Sequence, residues 1–202
     1  MNELLNIILR AIFTENLALA YLLGMCTFLA VSQRVQTAIG LGIAVIFVQT
    51  ITVPLNQLVF NFLLAPGALS WAGLGHLDLG YMRFIVFIGI IAAFIQVLEQ
   101  VLDRYFPDLH HALGIYLPLL TVNCAILGAS LFMVQRDFGF AQSLAFGFGS
   151  GAGWALAIIM FAAIRERLRC CDVPRGLEGH GVAFVVMGIL AIGFLGLRGV
   201  AF

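Results

Sequence analysis

Six stretches of this chain are each long and apolar enough to cross a lipid bilayer. A membrane-spanning helix needs about 20 mostly apolar residues, and the candidate stretches lie at residues 4–31, 38–64, 83–102, 109–134, 141–164 and 181–197. The chain is 62% hydrophobic and only 10% charged, whereas a soluble domain is roughly half apolar and about a quarter charged. The sequence therefore predicts an all-α integral membrane protein, embedded in the lipid bilayer, with six transmembrane helices.

The charged residues lie mostly in the connections, and their distribution predicts an orientation. An even number of spans places both termini on one side, where the arginines are Arg10, Arg83, Arg136 and Arg198. On the other side they are Arg34, Arg104, Arg165, Arg167, Arg169 and Arg175. Because cytoplasmic loops carry the excess of basic residues, we expect both termini to lie outside the cytoplasm. The net charge of zero gives no electrostatic reason to expect nucleic acid as a partner.

A short motif occurs twice, once in the first span and once in the fourth. LGMCTFLAVS (residues 23–32) and TVNCAILGAS (residues 121–130) each place a cysteine inside an apolar run. A leucine, a small residue and a serine follow at the same distances. The first copy supplies Cys26, Leu29, Ala30 and Ser32, and the second supplies Cys124, Leu127, Gly128 and Ser130.

A second pair of matching segments follows the cysteine motif in each half. AIGLG begins the second span, and AFGFG (residues 145–149) lies in the fifth. Each half then holds three spans, an odd number, so the second half must cross the membrane in the opposite sense. The sequence predicts two inverted three-helix repeats, residues 1–104 and 105–202, with a site near the middle of the membrane.

Cys26 and Cys124 are the candidate cofactor-binding and metal-binding residues. Gly24 and Pro118 precede them and predict interrupted helices near these midplane cysteines. A helix that restarts at a cysteine directs its positive end at the sulfur and favours the thiolate. Two thiolates are half of the four that hold an iron–sulfur cluster, so a related chain would have to supply the others. Two alternatives stay open: each cysteine is only a small buried apolar residue, or the two form a disulfide.

Several other polar residues lie inside the predicted spans. Glu15 and Glu99 are candidates for handling a cation or a proton, with an interhelical hydrogen bond or an interfacial position as the alternative. Asn123 is a candidate donor to a cluster sulfur, or a cap for the interrupted helix. No catalytic residue is assigned.

Two further features have simpler explanations. The alternating glycines from Gly147 to Gly153 lack the preceding strand that a dinucleotide site needs, so they predict close helix packing. Cys170 and Cys171 lie in the basic connection RERLRCCDVPRG, which we interpret as a juxtamembrane anchor and a docking surface for a cytoplasmic partner, with no role assigned to the cysteines.

Four segments together resemble the family of E subunits of the sodium-translocating NADH:quinone oxidoreductase (Nqr). They are ENLALAYLLGMCTFLAVS, GIYLPLLTVNCAILG, MVQRDFGFAQSLAFGFGSGAGW and AIRERLRCCDVPRGLEGHG. The segments around Cys26 and Cys124 are also similar to the A subunit of the Rnf electron-transport complex, while LGMCTFLAVS and VQRDFGFAQS favour the quinone-reductase branch.

The resemblance implies a bacterial inner-membrane complex of six subunits that passes electrons from NADH to ubiquinone and exports sodium. In that family the homologous D subunit is the partner, inserted in the opposite sense, and the two share a 2Fe-2S cluster with two cysteines from each. The matching positions here are Cys26 and Cys124. The flavins, the NAD site and the quinone site belong to other subunits.

Three other functions stay open at the level of the sequence. The chain could be the A subunit of an Rnf-type complex, or a structural anchor for other subunits. It could also be a stand-alone secondary transporter, because inverted repeats are common in transporters. The transporter's site would then be formed by Glu15, Asn16 and Asn123.

Overall fold

The computed structural model describes residues 2–65, 80–105, 116–169, 176 and 179–197, and all regular structure within these ranges is helical. The helices are α1 (Asn2–Leu9), α2 (Met25–Val31), α3 (Val35–Val59), α4 (Arg83–Tyr105), α5 (Leu117–Thr121), α6 (Cys124–Gln135), α7 (Phe140–Leu168) and α8 (His180–Leu197). Short π-helical turns extend α1 through Arg10–Thr14 and α3 through Phe60–Leu64, and a 3₁₀ turn, Gly80–Met82, leads into α4. Cys170 and Cys171 lie outside the described residues.

Four segments of the described chain are long and apolar enough to cross a membrane. They are Val35–Leu64, Gly80–Tyr105, Leu117–Gln135 and Phe140–Leu168, and they match the second to fifth predicted spans. Helix α8 covers the sixth predicted span, but its apolar part, His180–Gly196, is shorter. The described residues thus form an all-α structure with four candidate spans where the sequence predicted six.

The first predicted span, residues 4–31, is not one helix. The π-helical turn after α1 ends at Thr14, and the next helix begins only at Met25. Between them Leu22 and Gly24 have φ angles of 55° and 82°. This left-handed conformation ends a right-handed helix, and among residues it favours glycine. The predicted interruption ahead of the first cysteine is therefore present, and it is much longer than a kink.

Asn16 satisfies much of the backbone in this irregular segment. Its Oδ1 accepts hydrogen bonds from the backbone N–H groups of Ala18 (3.0 Å) and Leu19 (3.3 Å). Its Nδ2 donates to the carbonyl oxygen of Gly153 in α7 at 2.7 Å. An irregular backbone inside an apolar layer needs such partners, because the hydrocarbon offers none.

The centre of the fold is the antiparallel pair α3 and α7, which approach closely at glycines. A Cβ added at Gly151 would lie 2.9 Å from the Cα of Ile46, and one added at Gly147 would lie 2.8 Å from the carbonyl oxygen of Gln49. No real side chain tolerates such distances to backbone atoms. These two glycines therefore let the two long helices touch backbone to backbone.

The other two glycines of the series serve a second contact on α7. A Cβ at Gly149 would lie 2.9 Å from the Cα of Ile8, and one at Gly153 would lie 2.9 Å from the carbonyl oxygen of Ala11. The first helical segment is thereby held against α7. The predicted role of the glycine series in close helix packing is confirmed.

We expect Gly149→Ala to lower the stability of the folded chain by about 1–3 kcal/mol, because the new methyl group would press on the backbone of α1. The matched control is Gly188→Ala in α8, where an added Cβ has no neighbour within 4 Å. The check is the thermal unfolding midpoint of each purified variant in the same detergent. Equal midpoints for the two variants would contradict the packing argument.

Candidate functional site

Helix α6 begins at Cys124, directly after an interruption of the helical backbone. The preceding helix, α5, ends at Thr121, and Asn123 has an extended backbone. The Asn123 Oδ1 accepts a hydrogen bond from the backbone N–H of Ala125 at 3.0 Å. Asparagine is among the favoured residues at this position because its oxygen satisfies an N–H group that the helix leaves free. Asn123 thus caps the restarted helix, which is one of its two predicted roles.

Pro118 does not cause the interruption in the second half. It lies in the first turn of α5, where its missing N–H costs nothing. The break comes later, at Val122 and Asn123. Proline was therefore the wrong signal for the position of the break, although the break itself lies next to Cys124 as the sequence predicted.

The structure brings the two copies of the cysteine motif into contact. The backbone N–H of Gly24, two residues before Cys26, donates a hydrogen bond to the Sγ of Cys124 at 2.8 Å. The residues are 100 positions apart in the sequence. The two interrupted segments therefore meet at the Cys124 sulfur, as convergence of the two motifs requires.

Two buried N–H donors next to this contact have no hydrogen-bond partner. They are the Nε1 of Trp154 and the Nδ2 of Asn123, and the two side chains are 0% and 2% exposed. A Cβ added at Gly24 would lie 2.5 Å from that indole nitrogen and 3.0 Å from the Asn123 Oδ1. Unpaired buried donors are costly and need an explanation. Here the two unpaired donors lie beside the Gly24–Cys124 contact, in which the Cys124 sulfur already accepts one N–H.

Trp154 is a residue of the site that no motif in the sequence indicated. The indole is held edge-on against Phe28 of α2, with ring centroids 5.9 Å apart and planes at 81°. It therefore links α7 to the helix that carries Cys26. Its one signal in the sequence is its place at the end of the glycine series, in GSGAGW, where a large residue follows several that have no side chain.

Cys26 and Cys124 are both free thiols, so the disulfide alternative is not realised. Cys26 is exposed on the surface of the single chain, and its Sγ lies 3.7 Å from the Oγ1 of Thr27. Cys124 is partly exposed. Within the described residues no three histidines, cysteines or acidic residues come together to hold a metal ion. Two free thiols are compatible with half of a four-thiolate set, whose other half would have to come from a second chain.

Glu15 does not lie with the cysteines. It forms an ion pair with Arg136, the residue directly after α6. Arg136 follows Cys124 by twelve residues, which is about 18 Å along a helix. The guanidinium also lies over the rings of Phe132, Phe138 and Phe146, at 6.0, 5.9 and 5.5 Å from their centroids. The carboxylate thus belongs to a polar cluster at one end of the bundle.

This cluster lines an open pocket. The lining residues are Glu3, Asn6, Ile7, Arg10, Glu15, Arg136 and Phe138. Glu99 lies elsewhere, in a polar patch on α4 together with Gln96, Gln100 and Asp103. Both acidic residues named from the sequence are therefore partly open to the surroundings and are not sealed inside the protein.

Comparison with known proteins gives consistent results along the whole chain. The profile of a family described as "Rnf-Nqr subunit, membrane protein" matches residues 4–201. The chain is 59% identical over 200 residues to the E subunit of the Na(+)-translocating NADH-quinone reductase of Maridesulfovibrio salexigens, covering 99% of both chains. It is 55% identical over 201 residues to the protein of the same name from Marinobacter nauticus, covering 100% of both. It is 56% identical over 200 residues to that of Nitrosomonas europaea, covering 99% of both.

Proposed function

Since the chain belongs to the Rnf-Nqr family of membrane subunits, we propose that it acts as the E subunit of a sodium-translocating NADH:quinone reductase. The observation that carries this proposal is similarity at 55–59% identity over essentially the whole chain to proteins of that name. The printed names of these relatives favour the quinone-reductase branch over the Rnf branch. In this proposal the chain is one part of an oxidoreductase complex, and the NADH, flavin and ubiquinone sites lie in other subunits.

Within the complex, Cys26 and Cys124 each supply one ligand to a 2Fe-2S cluster, and the homologous D subunit supplies the other two. Three observations support this division. Both thiols are free, Cys26 is exposed, and Gly24 joins the two cysteine segments through the Cys124 sulfur. When bound, such a cluster would carry one electron at a time across the membrane.

The polar groups around Cys124 are suited to a negatively charged sulfur. The Gly24 N–H already donates to it, and the buried donors of Asn123 and Trp154 have no acceptor of their own. Hydrogen bonds to cluster sulfurs are one of the factors that set the reduction potential. The second predicted role of Asn123, as a donor beside the cluster, is thus compatible with its cap, because the cap uses only its oxygen.

We place the chain in the bacterial inner membrane as two inverted repeats, residues 1–104 and 105–202, with both termini periplasmic. The antiparallel contact of α3 and α7, which carry the matching AIGLG and AFGFG segments, supports the inverted arrangement. Arg165, Arg167 and Arg169, at the end of α7, would then face the cytoplasm.

The proposal is tested by iron analysis of the chain in two states. The complex purified through a tag on this chain should contain cluster iron and reduce quinone, whereas the chain expressed without its partners should contain no cluster. Labelling with a maleimide should modify Cys26 in the isolated chain and not in the complex. A chain that transports a solute by itself and is free of iron in both states would overturn the proposal in favour of a stand-alone transporter.

Glu15 keeps its proposed role in cation handling, with Arg136 as its competitor. A sodium ion that binds the carboxylate must displace the guanidinium, and the pair is only partly exposed, at 24% and 32% of the two side chains. We expect Glu15→Gln to raise the sodium concentration needed for half-maximal quinone reduction several-fold, with assembly preserved. The control is Glu3→Gln, which lines the same pocket. An unchanged sodium dependence in Glu15→Gln would limit the pair to a structural role.

A further inference from the structure

The serine that follows each cysteine by six residues is held by a side chain from the other half of the protein. Ser32 accepts a hydrogen bond from the Nη1 of Arg165 at 2.7 Å. Ser130 accepts one from the Nδ2 of Asn56 at 2.8 Å. Both serines are 0% exposed. The two hydroxyl groups occupy the same place in the repeated motif. In each copy the hydroxyl accepts a hydrogen bond from a side-chain N–H of the other half.

The first contact closes the C-terminal end of α2, the helix that carries Cys26. Besides binding Ser32, the Arg165 Nη1 donates to the carbonyl oxygen of Leu29 at 3.0 Å. The guanidinium also lies over the ring of Phe161, 5.6 Å from its centroid. A cation at this end of a helix satisfies carbonyl groups that have no partner within the helix.

The next residue of α7 holds the helix that follows. The Glu166 Oε2 accepts a hydrogen bond from the backbone N–H of Val35 at 3.3 Å, at the beginning of α3. Arg165 thus lies at the C-terminal end of α2, where the helix dipole is negative. Glu166 lies at the N-terminal end of α3, where the dipole is positive. The corner between α2 and α3 is fixed from both sides by the end of α7.

The second contact uses neutral groups in the interior. Asn56 is 0% exposed and lies on α3, and the Ser130 hydroxyl that it binds also donates to the Ile126 carbonyl oxygen at 3.2 Å. The adjacent Gln57 donates to the Phe138 carbonyl oxygen, in the turn between α6 and α7, at 3.4 Å. Again a long helix of one half holds both the cysteine helix and the following turn of the other half.

We propose that Ser32 and Ser130 are positioning residues that fix the two cysteine helices through crossed contacts, Ser32 with Arg165 on α7 and Ser130 with Asn56 on α3. This inference rests on the proposed function, because it gives the contacts the task of holding Cys26 and Cys124 in a geometry that accepts a cluster. Six residues of helix place each contact about 9 Å from its cysteine along the axis. A shift of the helix at the serine is therefore passed directly to the sulfur.

The test has two readouts and a matched control. The variants are Ser32→Ala and Ser130→Ala, and the control is Ser150→Ala. Ser150 is also 0% exposed and accepts a hydrogen bond from the Gln49 Nε2 of α3 at 3.0 Å, but it lies on no cysteine helix. Hydrogen exchange is measured on the full chain in lipid nanodiscs, and the reduced-cluster EPR spectrum and midpoint potential are measured on the assembled complex.

We expect each change to act on its own helix. Ser32→Ala should speed amide exchange in α2 roughly fivefold and leave α6 unchanged, and Ser130→Ala should do the reverse. Each change removes the hydrogen bond to the side chain from the other half, and Ser130→Ala also removes the bond to the Ile126 carbonyl oxygen. Both variants should shift the cluster's g-values and midpoint potential. Ser130→Thr keeps the hydroxyl group, so it should have the g-values and potential of the unchanged protein. Ser150→Ala should change none of these.

Variants that behave like Ser150→Ala in both readouts would overturn the inference, as would exchange that rises equally in α2 and α6. If exchange in the chain is helix-specific but the assembled complex contains no cluster, the proposed function and the positioning task are both refuted, and only the helix contacts remain. The two failures are therefore distinguishable.

Discussion

Either Cys26→Ala or Cys124→Ala is expected to remove the cluster from the complex and to abolish quinone reduction. In the proposed site, each variant would leave three thiolates where an iron–sulfur cluster needs four. No group of histidines, cysteines or acidic residues within the described part of the chain stands ready to replace the lost ligand. The effect should be near-complete loss of the cluster, and not a partial shift of its properties.

The measurements are iron content, the EPR signal of the reduced complex and the quinone reductase rate. The control is the same replacement at Cys170 or Cys171, to which the proposal gives no ligand role. Subunit stoichiometry on a native gel checks that the variant complex still assembles. Full turnover with wild-type iron content in either Cys26→Ala or Cys124→Ala would show that the ligand assignment is wrong.

The apolar pattern of the sequence predicted the long helices well. Residues 38–64 were predicted as a span and the structure has Val35–Leu64, and residues 83–102 correspond to α4, Arg83–Tyr105. Such helices are recognisable because their length and hydrophobicity are set by the bilayer. A continuous buried helix makes its backbone hydrogen bonds internally, so it needs no information from the rest of the fold.

The first predicted span does not form one continuous helix. Residues 4–31 are as apolar as a helix requires, yet the chain leaves the helix at Thr14 and resumes it at Met25. The hydrogen bond from Asn16 to Gly153 joins residues 137 positions apart in the sequence, and such a long-range contact cannot be predicted from hydropathy. Gly24 inside the apolar run was the signal that predicted an interruption, and it did not give the length of the interruption.

The sequence identified the candidate cysteines but not their surroundings. Repetition of the motif singled out Cys26 and Cys124, and the Gly24 contact to the Cys124 sulfur agrees with their convergence. The partners of Ser32 and Ser130 were not predictable, because Arg165 and Asn56 lie on helices of the opposite half. Which side chains meet is decided by how the two halves pack, and that packing is long-range.

Gly24→Ala should have the second large effect, because Gly24 serves the site in three ways. Its φ of 82° is strained for any residue with a Cβ, and the added carbon would lie 2.5 Å from the Trp154 Nε1. Left-handed strain costs about 1–2 kcal/mol and overpacking about 1–3 kcal/mol. The change would also displace the N–H that binds the Cys124 sulfur. We expect a loss of roughly 2–5 kcal/mol of stability together with loss of most of the cluster.

The matched control is Gly193→Ala in α8, where an added Cβ has no neighbour within 4 Å and helix propensity alone favours alanine. Stability and cluster content are measured on the same preparations. Trp154→Phe in the wild-type background separates the contribution of the indole N–H from that of the Gly24 backbone, because it keeps a large ring and removes only the N–H donor. If strain at Gly24 dominates, Trp154→Phe will retain the cluster with an altered potential while Gly24→Ala loses it. A Gly24→Ala complex with a wild-type melting point and a full cluster signal would mean that neither the left-handed turn nor the indole contact matters at the Cys124 sulfur.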